Sequence, residues 1–253
     1  MICQICIFRM CFLLVFRKSA SDKGRMNENI IAVDGPAGSG KSSVAREIAD
    51  RTDFHYLDSG ALYRGVTLYF FEKYKNLNPE QKFSEWFSSV NFLPELSSLK
   101  FEFILEKPKE NILLLNGRNI SAEIRTPEVT EEIKYLAPLL EIRNFVNEIL
   151  HGLARQYKLI MDGRDIGTEV FPDAKRKFFL TADPEVRAER RWLELKEKGI
   201  VSDRKELLSD IIRRDESDKN RKIAPLRQAN DAILIDTSGL EKKAVIELIL
   251  SKI

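Results

Sequence analysis

Apolar and polar positions along this chain alternate between a strand pattern and a helix pattern. Ile30-Ile31-Ala32-Val33 is an unbroken apolar run of strand length, and Ser43-Val44-Ala45-Arg46-Glu47-Ile48-Ala49 after it has helical spacing. Phe54-His55-Tyr56-Leu57 predicts a second short strand, and Asp58 or Ser59 is placed to cap the next helix. That helix is expected over residues 61–75, with Leu62, Val66, Tyr69 and Phe70 on one buried face. A shorter helix follows Pro79 and carries Phe83, Trp86 and Phe87, an aromatic group read as core. Residues 99–105 and 112–115 are β-like, joined by the polar turn Lys107-Pro108-Lys109-Glu110, and Asn116-Gly117 is a hairpin signal. Residues 90–125 are therefore expected to form a small antiparallel insert.

Helices are expected to resume over residues 127–137 and 139–157, followed by strands at 159–161 and 178–180. A charged helix over 184–198 is closed by Gly199, a second begins near Arg204, and a last strand at 232–235 leads into a helix at 240–250. Strands separated by helices predict an α/β fold, a three-layer doubly wound parallel sheet with its ligand at the carboxyl ends of the strands.

A length of 253 residues suits one large domain with a smaller appendage. Lys and Arg total 41 against 39 Asp and Glu, so no global basic field calls for nucleic acid. Cys3, Cys6 and Cys11 all lie at the start, leaving the body free of cysteine, with no disulfide framework and no zinc pattern. The apolar stretch 1–16 is interrupted by Arg9 and falls short of the ~20 residues that a membrane span needs. It also lacks a basic leading region and a small-residue cleavage site. Residues 1–25 are expected to be an extension outside the fold, with Met26 as initiator and 26–253 as the folded domain. The chain is expected to be a cytoplasmic monomer with no membrane or nucleic-acid partner.

The densest chemistry lies at Gly35-Pro36-Ala37-Gly38-Ser39-Gly40-Lys41-Ser42, followed by Ser43, between the first strand and its helix. This matches the phosphate-loop pattern, in which small residues let backbone N–H groups turn inward at phosphate oxygens. Lys41 is expected on the β- and γ-phosphates and Ser42 on Mg²⁺, which implies a nucleoside triphosphate. Arg64, in the first turns of the second helix, is placed to clamp a second phosphate. Asp162-Gly163-Arg164-Asp165-Ile166-Gly167-Thr168 follows a core strand, so Arg164 can donate to phosphate and Asp165 can accept from an exocyclic amine. Arg187, Arg190 and Arg191 precede Gly199, and the run from Arg213 to Arg221 follows it. Two basic helices of this kind suit a closing lid that neutralises transferring charge. His55 and His151 show no partner pattern and are expected to be neither catalytic nor metal ligands.

From about residue 30 to 253 the chain resembles the bacterial-type cytidylate kinases, members of the nucleoside monophosphate kinase family. The marks are Val33 to Ser42, Leu57 to Arg64, Ile124-Arg125-Thr126-Pro127-Glu128-Val129 and Met161 to Thr168, then Asp218-Lys219-Asn220-Arg221, Ala224-Pro225-Leu226 and Ile235-Asp236-Thr237-Ser238. The resemblance implies transfer of the γ-phosphoryl group of ATP, with Mg²⁺, to CMP or dCMP. It also implies a phosphate-loop core with residues 90–125 as the monophosphate-binding insert and 185–222 as a helical lid. Ser59, Arg64, Arg143, Arg164, Asp165, Arg214, Asp218 and Arg221 then fall on the monophosphate. Arg64, Arg164 and Arg221 are expected on its phosphate, Arg214 and Asp218 on the ribose, and Arg143 and Asp165 on the cytosine. Lys41, Arg187, Arg190 and Arg221 are the expected catalytic cations.

One position departs from the family: Lys134 stands where serine is usual, and lysine cannot accept from the cytosine amine. Either Lys134 points elsewhere or UMP is discriminated less well, with Thr130 one turn earlier as an alternative hydroxyl. A kinase for another small acceptor shares the loop but not the insert or Gly163-Arg164-Asp165. A regulatory guanine-nucleotide switch would carry an N-K-x-D motif, which this chain lacks.

Overall fold

The computed structural model describes residues 27–77, 80–105, 111–197 and 199–253. The extension at 1–25, Pro79, the turn at 107–110 and Lys198 lie outside the described residues. Strand β1 (Ile30–Asp34) is the centre of a five-stranded parallel sheet. It pairs with β6 (Leu159–Gly163) on one side and β7 (Arg176–Thr181) on the other. Beyond these lie the edge strands β2 (His55–Asp58) and β8 (Ile233–Asp236), giving the order β2-β6-β1-β7-β8.

All five residues of β1 are buried. Ile30 and Ala32 enter one core with Leu57, Leu159 and Met161, while Ile31 and Val33 enter the other with Ile160, Phe178 and Leu180. A strand covered on both faces has no polar side, which is why its sequence is a continuous apolar run. Helix α1 (Lys41–Arg51) and helix α9 (Lys242–Leu250) cover the second core through Val44, Ile48, Val245 and Ile249. Helix α2 (Gly60–Leu77) covers the first with Leu62, Val66 and Phe70. The expected three layers are present.

On α2 sit the short helices α3 (Phe83–Ser89) and α4 (Leu93–Leu96), with Phe83, Trp86 and Phe87 buried in the first core as expected. Strands β3 (Phe101–Ile104), β4 (Ile112–Leu115) and β5 (Arg118–Asn119) make a separate antiparallel sheet within residues 90–125. Asn116 and Gly117 turn between β4 and β5 with φ of 50° and 82°, the left-handed pair that a tight hairpin requires. Asn111 donates to the Tyr56 carbonyl, so the insert covers part of the exposed edge of β2.

Helices α5 (Pro127–Leu136) and α6 (Leu140–Ala154) follow. The pattern predicted α6 to run to 157, but it stops where the chain turns to bring the Lys158 carbonyl to the His55 N–H at 2.8 Å. Ladder bonding at β2 outweighs helix propensity there. The stretch expected as a lid holds two helices, α7 (Pro184–Glu197) and α8 (Arg204–Lys219), packed against each other. Periodicity missed α4, a 3₁₀ turn at Glu123–Arg125 and a π-type turn at Ile166–Val170. Such single turns are too short to show a repeat.

Candidate active site

The carboxyl ends of β1, β2, β6, β7 and β8 converge on one side of the sheet. The phosphate loop leaves β1 at Gly35, whose φ is 143°. A Cβ at Gly35 would lie 1.9 Å from the Leu180 carbonyl oxygen of β7, so only glycine lets the loop rise this close to its neighbour. No side chain caps the start of α1, leaving its first amides available to an anion. Lys41 is buried and donates to Pro36 O at 2.6 Å and Ser39 Oγ at 3.3 Å. Burial pulls its pKa well below the ordinary lysine value and Arg164 adds repulsion, while Asp162, Asp34 and Asp218 act in the opposite sense. Ser43 turns its hydroxyl back to Gly40 O at 3.0 Å.

Ser42 Oγ donates to Asp162 Oδ2 at 2.6 Å, and the Tyr56 hydroxyl donates to Asp162 Oδ1 at 2.8 Å. Burial raises the Asp162 pKa, with repulsion from Asp58 next. A hydroxyl beside a carboxylate at the foot of a phosphate loop is a pair of hard oxygen donors, which fits Mg²⁺. Reasoning from sequence assigned Ser42 alone to the metal. The acidic residue ending the apolar run 159–161 was the available signal for Asp162.

Opposite the loop lie the residues expected to hold the acceptor. Ser59 is buried and donates to Asp162 O at 2.8 Å. Arg64 Nη2 pairs with Asp58 at 2.5 Å, while its Nε is buried without a hydrogen-bond partner among the described residues. Arg221 likewise has Nε and Nη2 buried and unpartnered, with Nη1 3.9 Å from Asp218. Arg164 Nε donates to Asp218 Oδ2 at 2.9 Å. Desolvation and then repulsion from Arg164 hold the Arg214 pKa below its ordinary value, and Arg64 adds to that repulsion. Two guanidinium groups with unmade hydrogen bonds, amid cations that repel one another, fit a multiply charged anion.

Arg143 and Asp165 are 3% and 6% exposed and pair with each other through Arg143 Nη2, while Arg143 Nη1 donates to Ala137 O at 3.2 Å. Burial raises the Asp165 pKa, and Arg143 followed by Arg221 act against it. Lys134 points away: it is exposed, its ammonium 3.6 Å from Glu131 and over the Tyr135 ring.

The cations of α7, α8 and the segment after them divide by environment. Arg191 and Arg213 make exposed pairs along their own helices with Glu194 and Asp210. Arg187 is 2% exposed and donates to both carboxylate oxygens of Asp215, to Ala182 O at 2.8 Å and to Ala37 O of the phosphate loop at 2.9 Å. Arg190 donates to Thr237 Oγ1 at 3.0 Å and Thr237 O at 2.5 Å, and the Thr237 hydroxyl reaches Ser39 O at 3.3 Å. Arg221 alone of the three expected lid arginines keeps unpartnered N–H groups among the described residues. Thr237 stands in one of the marked motifs, but neither it nor Asp215 was given a role from the sequence. Their partners lie 28 and 47 residues away, beyond any local pattern.

A phosphate loop at the head of a parallel sheet, beside half-buried arginines whose buried N–H groups lack partners among the described residues, defines a phosphate-loop phosphotransferase. The cytidylate kinase family model matches residues 31–253. A cytidylate kinase of Clostridium tetani is 42% identical over 221 residues, 87% of this chain and 91% of that protein. One of Thermosipho melanesiensis is 44% identical over 220 residues, 87% and 94% of the two chains, and one of Clostridioides difficile is 42% identical over 228, 90% and 99%. The chain belongs to the cytidylate kinase family.

Proposed function

We propose that the protein transfers the γ-phosphoryl group of ATP to CMP and dCMP, giving CDP and dCDP. The observation that carries this is the pair of guanidinium groups, Arg64 and Arg221, with buried N–H donors unpartnered among the described residues of a phosphate-loop site. The acceptor phosphate is already an anionic nucleophile, so no strong general base is needed. Alignment and charge neutralisation do the chemistry. Loop amides and Lys41 hold the donor phosphates, and Arg64, Arg164 and Arg221 hold the acceptor phosphate in line with them. Ser42 and Asp162 would hold Mg²⁺, which neutralises charge on the β- and γ-phosphates when bound.

Arg187 and Arg190 brace the loop from the lid side, through Ala37 and through Thr237 to Ser39. Arg214 and Asp218 take the ribose. Arg143 donates to cytosine O2 and N3, and Asp165 accepts from its amine. Uracil presents a carbonyl and an N–H there, so the pair leaves a buried group facing the wrong partner. With Lys134 turned to solvent, base selection rests on Arg143 and Asp165.

The test is ADP formation by the full chain with ATP and Mg²⁺, offering CMP, dCMP, UMP, AMP and shikimate in parallel. Strong turnover with CMP and dCMP alone is expected. Equal turnover with UMP would remove the base-reading role, and none with any nucleotide would remove the acceptor assignment.

A further inference from the structure

The π-type turn Ile166–Val170 follows directly on Asp165, the carboxylate proposed to read the base. Asp165 occupies the position before the turn, from which a side chain would ordinarily accept the second or third N–H of the turn. It makes no such bond, because its carboxylate is paired with Arg143. The first two N–H groups of the turn are instead held by Asp34: Oδ1 accepts from Ile166 N at 2.8 Å and Oδ2 from Gly167 N at 2.7 Å. Asp34 is 4% exposed and stands 132 residues earlier, at the end of β1 immediately before Gly35 of the phosphate loop.

We infer that Asp34 is a positioning residue that caps this turn from another strand, leaving the Asp165 carboxylate available to the acceptor base. The inference rests on the kinase reading above and adds a specificity determinant that touches neither nucleotide. The division of labour has a physical reason. One carboxylate cannot both satisfy two turn amides and present its oxygens to a base, so the fold supplies a second from the neighbouring strand. The backbone of Asp34 is held without its side chain, in register with Gly163 of β6 and Phe179 of β7. Losing the carboxylate therefore releases the acceptor loop while the phosphate loop keeps its footing.

The experiment compares the full-length protein with Asp34→Asn. The amide keeps the shape but accepts only one of the two N–H groups and faces the other with a donor. The KM for CMP is expected to rise about tenfold, and the ratio of CMP to UMP turnover to fall by a similar factor. ATP binding by titration calorimetry and kcat at saturating CMP should stay within about threefold, as expected for a change confined to acceptor positioning. Gly167→Ala is the second variant, in case Asp34→Asn does not fold. Its methyl would lie 3.1 Å from Lys177 Cδ and 3.3 Å from Asp34 Oδ2, displacing the same loop without removing a charge. It should move KM and the base ratio in the same direction by a smaller factor. Folded variants with unchanged KM and base ratio would overturn the inference. So would a loss of thermal stability and kcat with both of those unaltered, since that is a structural role only. Wild-type turnover of CMP, measured alongside, tests the kinase reading separately.

Discussion

Lys41 illustrates how one side chain serves the site through its surroundings. Its ammonium is buried against carbonyl and hydroxyl oxygens, held down in pKa by burial and by Arg164. Donor phosphates would replace those neutral acceptors with full negative charge. Lys41→Ala should therefore lower kcat by on the order of 10²–10³ while circular dichroism stays that of the wild type. Wild-type turnover in that variant would refute the loop assignment. Asp165→Asn should change the CMP to UMP ratio more than it lowers kcat with the better acceptor. An unchanged ratio would count against base reading.

Asp34 gives a pH dependence with a definite sign. Burial pushes its pKa from 3.8 up to about 6, against the two backbone N–H donors. The folded carboxyl holds its proton more tightly than the unfolded one, so its contribution to stability is full below about pH 4 and is lost as pH rises through 6. In urea unfolding from pH 4.5 to 7.5, the stability of wild type relative to Asp34→Asn should fall by about 2 kcal/mol. Asp162 and Asp165 also shift upward but are common to both proteins and largely cancel. A difference that is flat or grows with pH would exclude the shift.

Among the elements, α7 and α8 are joined to each other by a buried ion pair, and one hydrogen bond from it reaches the phosphate loop. Asp215 of α8 meets Arg187 of α7, and the same guanidinium reaches Ala37. Removing one partner leaves an uncompensated buried charge, so Arg187→Met should cost about 3–5 kcal/mol. Replacing both, as Arg187→Met with Asp215→Leu, should recover most of that stability but not kcat, because the bond to the loop is still missing. Recovery of both would make the pair purely structural.

For the whole molecule, the two proposed ligand sites on one sheet imply stabilisation by mass action. CMP at about 100 times its Kd should add about 2.7 kcal/mol. For a domain of this size that raises Tm by about 5–10 °C in a thermal shift assay. Chelating Mg²⁺ should abolish turnover while leaving the protection by CMP intact, since Arg64, Arg221 and Asp165, proposed to hold CMP, need no metal for that role. Loss of that protection on chelation would place the metal in the acceptor site. No helix among the described residues is long and apolar enough to cross a membrane.

The chain alone determined the order of elements, the phosphate loop and the family, because these rest on local properties. Apolar period, a glycine spacing and a run of small residues act over a few positions, and nothing distant alters them. The phosphate loop, Asp58 to Arg64 and Asp162 to Thr168 share one end of the sheet, because each follows a strand and the strands are parallel. Only the tertiary structure decided how they are paired. Asp162 joins Ser42 from 120 residues away, Asp34 caps the loop behind Asp165, Arg187 pairs with Asp215, and Lys134 turns to solvent. A charged side chain takes the partner that burial and backbone geometry leave within reach. That choice is made between strands and helices far apart in sequence, where no local pattern records it.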